Sequence, residues 1–381
     1  MIFFKKKIIS ALLTLLLLTL LAGFFLISPW GRPVKSLILL VPEVTPNFPV
    51  KLLTLFSSEP NVSEVKVNTS IGETTADIYR PADNKKHPAV VFTLGTLVTR
   101  KDAQVVKFGK ALSRVGFVVL IPDLPDFLSG IVWTDSVETL ISSVEYLDRQ
   151  EFVDRQKIGF AGFCVGASAS IVAAEDKRIA DKVAFISAVS PYFDLFSTVD
   201  AIVTRKTPNE SGNSVKWEPA DLTVLTFYNG FINYIQNQEQ KDLLKVHFLN
   251  EKEFSEEEMA KLTGDSRIIY EILSSKDKES LDEQMKVLPQ GGKDLLTALS
   301  PSAKIGDLRA KLFIINDKKD TYVPENEGRK FKENIVKDNV YFIEVDSFEH
   351  VNPSTHLKRW SALKQVFYLS RYLYNVFSFV N

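Results

Sequence analysis

The chain has 381 residues, 45% hydrophobic and 24% charged, with 46 basic against 47 acidic side chains. That balance suits a globular core and, without a basic run in the body, excludes an electrostatic footprint for nucleic acid. One cysteine excludes internal disulfides and cysteine clusters, and His87, His247, His350 and His356 form no zinc-hydrolase spacing, so neither cofactor nor metal is expected.

Residues 1–7 form a basic end with Lys5, Lys6 and Lys7, followed by the uncharged run 8–28. That run has the length of a helix crossing a hydrocarbon core of about 30 Å. It exceeds the roughly 7–15-residue apolar region of a cleavable signal peptide, and the candidate cleavage sites, such as Leu20 before Ala22, lack a small residue at −3. It reads as an uncleaved transmembrane signal anchor, the lysines inside and the body on the extracytoplasmic side. Such an export pattern without disulfides reads as bacterial. Residues 29–60 are broken by prolines, show no clear helical period, and read as a tether.

The domain begins at 61. Residues 63–81 alternate apolar and polar side chains around Ile71 and Gly72, as a β-hairpin does. Apolar strand-length runs at 87–95, 117–125, 157–162, 183–191, 310–317 and 340–346 then alternate with helical stretches at 101–116, 135–150, 167–177, near 325–336 and about 356–377. Continuous apolar strands alternating with helices predict an α/β fold, with a mostly parallel central sheet covered on both faces. Between 195 and 299 the alternation stops, giving way to a charged helical insertion within the domain 61–381. There Phe227, Phe231 and Tyr234 fall on one helical face, either as a packed face or as a lid over a pocket.

Parallel sheets place their chemistry at the carboxyl ends of strands. At one such end the sequence reads Gly162-Phe163-Cys164-Val165-Gly166, the outline of a tight strand-to-helix turn that lifts a nucleophile off the sheet. Ser168 and Ser170 are rival hydroxyls one turn further on. The run ending at Asp317 leads to Asp320, and the last strand leads to His350. A base to take the thiol proton and an acid to orient that base are what nucleophilic catalysis needs. Asp317 and Asp346 compete with Asp320 for the acid role. Backbone N–H groups of Val165, Gly95 and Thr96 are candidates for an oxyanion hole.

With these residues in the order nucleophile, acid, histidine, the chain resembles the α/β-hydrolase superfamily. The acid loop Asp320–Pro324 resembles that superfamily's usual one, and the strand 116–125 is similar to its dienelactone-hydrolase-like branch, where cysteine replaces serine at the turn. The resemblance covers about 63–194 and 303–381. It implies a Cys164–His350–Asp320 triad acting on a small ester or thioester acyl substrate through an acyl-enzyme, with membrane attachment through the N-terminal helix and an open oligomeric state. An acyltransferase, or a binding protein on a degenerate hydrolase fold, are the alternatives. Two departures stand out: residues 92–100 lack the carboxylate that controls the cysteine in that branch, and the branch has no long insertion.

Overall fold

The computed structural model describes residues 31–44, 52–345 and 359–380, together with 14, 16, 19, 21, 23–26 and 28. It divides into two compact units, Ser58–Leu357 and a second made of Met1–Ser57 with Lys358–Asn381.

In the larger unit, β1 (Asn61–Thr69) and β2 (Gly72–Arg80) form the expected hairpin, with Thr69 opposite Gly72 across a two-residue turn. The alternating run suits a strand pair with one solvated face. β3 (His87–Thr93), β4 (Val118–Pro122), β5 (Val153–Phe163), β6 (Val183–Val189), β9 (Lys311–Asp317) and β10 (Val340–Val345) complete one eight-stranded sheet. Its order is β1-β2-β4-β3-β5-β6-β9-β10. The pairs β1–β2 and β2–β4 are antiparallel and the rest parallel.

The inner strands read as unbroken apolar runs because both faces are covered. Ala89, Val91, Val118, Leu120, Ile158 and Phe160 share one core with Leu140, Ile141 and Val144 of a helix at Thr134–Asp148 and Ala169 and Ile171 of a helix at Cys164–Ala174. Their neighbours point the other way, as strand alternation requires. Phe92 there stacks on Phe108 of the helix Ala103–Arg114, centroids 4.9 Å apart, and meets Phe163 edge-on at 5.7 Å.

The insertion is helical apart from a short antiparallel pair, β7 (Lys206–Pro208) and β8 (Ser214–Lys216). It has its own core, in which Trp217, Phe227, Phe231, Ile232, Leu244 and Ile269 are buried. Phe227 and Phe231 of the predicted stripe are therefore core, on the helix Asp221–Tyr234. The two ends of the insertion meet: Tyr192 Oη donates to Leu299 O at 3.0 Å, Leu195 N–H to Ser300 Oγ at 2.9 Å and Ser302 N–H to Phe193 O at 2.9 Å.

The smaller unit corrects the reading of 29–60 as non-helical. Arg32–Val44 is a helix burying Leu39, Leu40, Val41 and Pro42, and it packs against the helix Arg359–Val380. Pro42 stands in the last turn, so the helix runs only two residues past the backbone bond that its ring removes. The apolar contact comes from a segment more than three hundred residues away, which local periodicity does not reveal. The expected anchor 8–28 lies mainly outside the described residues; those of it that are described at 14, 16, 19, 21 and 23–26 are helical. Among the described residues no helix is long and apolar enough to cross a membrane.

Candidate active site

β5 reaches Phe163 in extended conformation, and the chain then turns at Cys164, which has φ +53° and opens the following helix. A left-handed non-glycine residue costs of order 1 kcal/mol and persists only where the surroundings impose it. Here two glycines impose it. A Cβ on Gly162 would lie 2.3 Å from Thr93 Oγ1, and one on Gly166 would lie 2.2 Å from Leu94 O. The start of the helix thus rides directly against the end of β3, leaving Cys164 partly exposed at the apex.

Thr93, which the sequence reading passed over, secures this contact. Its Oγ1 donates to Gly166 O at 3.1 Å and pairs with Ser170 Oγ at 2.9 Å. The available signal was a hydroxyl closing an otherwise apolar strand. Ser168 Oγ accepts from Tyr192 N–H at 2.8 Å and donates to Tyr192 O at 3.0 Å, tying the helix to the end of β6. Ser168 and Ser170 are both fully buried, so neither is a rival nucleophile. The buried Tyr192 phenol is held above the usual tyrosine range, by desolvation first and by charge on Cys164 second.

Val165 lies in the first helical turn, where backbone N–H groups have no intrahelical partner. Gly95 and Thr96 follow β3 in the adjoining loop. That loop lacks a carboxylate, as read from sequence, and is clamped instead by a cation. Arg100 bonds Asp77 at 2.5 Å, Asp123 at 2.9 Å and Glu64 at 3.0 Å, while Lys101 reaches Asp77 at 2.8 Å. Asp123, just past the end of β4, serves as one of these anchors.

Asp320 follows β9 and is 2% exposed. Its Oδ1 accepts the N–H groups of Tyr322 at 2.7 Å and Val323 at 3.0 Å, which fixes the carboxylate's direction. Asp317 uses its Oδ1 on Lys319 N–H at 2.9 Å, closing the same turn from the strand side. With β6 between β5 and β9, the turn at Cys164 and the acid loop stand two strand spacings apart, about 10 Å. His350, the rival Asp346, and His356 lie outside the described residues.

Two other histidines are placed. His87 is held between Asp83 Oδ1 at 2.6 Å and Gly116 O at 3.0 Å, and the first of these bonds keeps the Asp83 carboxyl below its ordinary range. It leads a strand whose first residues are only half covered, so a local carboxylate captures it. His247 stacks on Phe254 inside the insertion, centroids 4.4 Å apart. Among the described residues no group of three His, Cys, Asp or Glu side chains could hold a metal.

The strand order, the left-handed cysteine between glycines and the acid two strands along have the arrangement of an α/β-hydrolase fold. No protein-family model matches the chain, and no curated protein does. Similar solved structures include an esterase from Pyrobaculum calidifontis, 15% identical over 91% of each chain with TM-score 0.45. An acylaminoacyl peptidase from Pyrococcus horikoshii is 12% identical over 84% of this chain and 42% of its own, TM-score 0.48. Dipeptidyl peptidase 4 from Porphyromonas gingivalis is 13% identical over 84% of this chain, TM-score 0.47, and this chain spans 36% of its length.

Proposed function

We propose that this protein hydrolyses an ester or thioester-type acyl substrate with Cys164 as nucleophile. The observation that carries the reading is the strained, partly exposed Cys164 at φ +53°, held by two glycines that leave no room for a side chain. His350 accepts the thiol proton as Sγ attacks the carbonyl carbon, and Asp320 orients the imidazole. N–H groups of Val165 and of Gly95 or Thr96 receive the oxyanion. Collapse expels the alcohol or thiol, protonated by His350, and leaves a thioester on Cys164. Water, deprotonated by His350, then releases the acid and restores the thiol.

A cysteine at the turn allies this reading with the dienelactone-hydrolase-like branch, although residues 92–100 carry no counterpart of that branch's carboxylate. The insertion acts as a lid over the acyl pocket. The run 8–28 anchors the chain in a membrane with the hydrolase domain on the extracytoplasmic side. Turnover of a chromogenic short-chain ester is expected to vanish in Cys164→Ala, and wild type is expected to incorporate iodoacetamide at neutral pH with loss of activity. Equal turnover by wild type and Cys164→Ala overturns the assignment.

A further inference from the structure

The segment running from β8 into the helix Asp221–Tyr234 touches the site at three-residue intervals. Trp217 Nε1 donates to Asp320 O at 2.7 Å, Ala220 N–H to Thr321 O at 2.7 Å, and Thr223 Oγ1 to Tyr322 O at 3.0 Å. Three consecutive carbonyls of the acid loop are thus capped by one strap of the insertion. A turn later, Thr226 Oγ1 pairs with Thr96 Oγ1 at 3.2 Å, at the end of a different strand.

Those anchors belong to β9 and β3, with β6 and β5 lying between them in the sheet. A segment bonded to both crosses the carboxyl ends of β5 and β6, where Cys164 sits. Three strand spacings are about 14 Å. The rise from Ala220 to Thr226 is about 9 Å at helical pitch, and the threonine side chains and the Trp217 approach supply the remainder.

A peptide group is planar, so a held carbonyl also holds the N–H of the next residue. Thr321 C=O shares its plane with Tyr322 N–H, and Tyr322 C=O shares its plane with Val323 N–H. These are the two N–H groups that grip the Asp320 carboxylate. Ala220 and Thr223 therefore bond the far ends of the same two peptide units, and hydrogen bonds arranged in series reinforce one another.

We infer that Trp217, Thr223 and Thr226 are positioning residues: the strap sets the direction of the Asp320 carboxylate and the place of the Thr96 loop together, so both are assembled only when the insertion is docked. The catalytic part of this inference rests on the function proposed above; the ordering of the acid loop does not.

Hydrogen–deuterium exchange of the full chain separates the two. In Thr223→Val, exchange at Val323 is expected to quicken about tenfold, one lost hydrogen bond's worth, with Tyr322, still tied through Ala220, less affected and the amides of β5 unchanged. Against an ester, kcat is expected to fall by a similar factor with KM within about twofold, because an acid out of line affects the transition state rather than binding. Thr223→Ser is expected to restore both. Thr226→Val is expected to lower kcat while leaving acid-loop exchange as in wild type. Trp217→Phe removes a donor from a core residue, so unfolding of the insertion obscures it, and Thr223→Val carries the test. Wild-type exchange and wild-type kcat in Thr223→Val overturn the inference. An active Cys164→Ala overturns the site reading while the exchange result still judges the strap.

Discussion

Glu175 terminates the helix that Cys164 begins, and replacing it with glutamine gives a measurable pH signature. The side chain is 3% exposed, and its buried Oε1 has no hydrogen-bond partner among the described residues. Burial, with a smaller push from Asp307 and a pull down from Lys304, raises the carboxyl from 4.5 to about 9. The carbonyl end of the helix adds a local field that also disfavours a carboxylate. The folded protein therefore keeps a proton that the unfolded chain releases above about pH 4.5. Stability from this group is fully present below that value and is lost progressively as pH rises towards about 9. At about 1.4 kcal/mol per pH unit, the loss accumulated by pH 7 reaches roughly 3 kcal/mol. Glutamine has the same shape and does not titrate, so Glu175→Gln is expected to match wild type at pH 4 and to exceed it by up to that amount at pH 7. Urea midpoints of both proteins at a series of pH values measure the difference. A gap that stays flat between pH 4 and pH 8 refutes the assignment of a buried, protonated Glu175.

Gly166→Ala places a methyl 2.2 Å from the Leu94 carbonyl oxygen, a backbone atom that can yield only by moving the loop of Gly95 and Thr96. A loss of at least about 2 kcal/mol is expected in thermal unfolding, together with a larger fall in kcat than in stability. Arg100→Ala strips Asp77, 3% exposed, of its guanidinium partner and leaves Lys101 as its remaining cation. A cost of roughly 3 kcal/mol is expected by urea unfolding, since the removed partner leaves a buried charge under-compensated, and Arg100→Lys should recover part of it.

Most of the sheet was legible because its strands are buried on both faces and carry no polar interruption until their ends. The strand ends at Cys164 and Asp320 could be found for the same reason, since polar and glycine residues there break a long apolar run. Thr93 and Arg100 were not legible as parts of the site. Their partners, Gly166, Asp77 and Asp123, are set by strand order, and β3 lies between β4 and β5 although it precedes both. The helix Arg32–Val44 was hidden similarly, because the face it buries is met by the helix Arg359–Val380. The strap was invisible for another reason: Trp217 and Ala220 act through an indole N–H and a backbone N–H, which leave no pattern in composition or period.

The meeting of the insertion's two ends at Tyr192–Leu195 and Leu299–Ser302 makes this segment a guest in a host. Strands β6 and β9 are neighbours on either side of it, so its length is closed off at a point and burdens the sheet little, as the slow growth of loop-closure entropy with length requires. The host can therefore exchange one guest for another without relocating a strand. The boundary that such an exchange has to respect is not the join itself but Asp320–Tyr322, where a new guest must present three donors to the same three carbonyls.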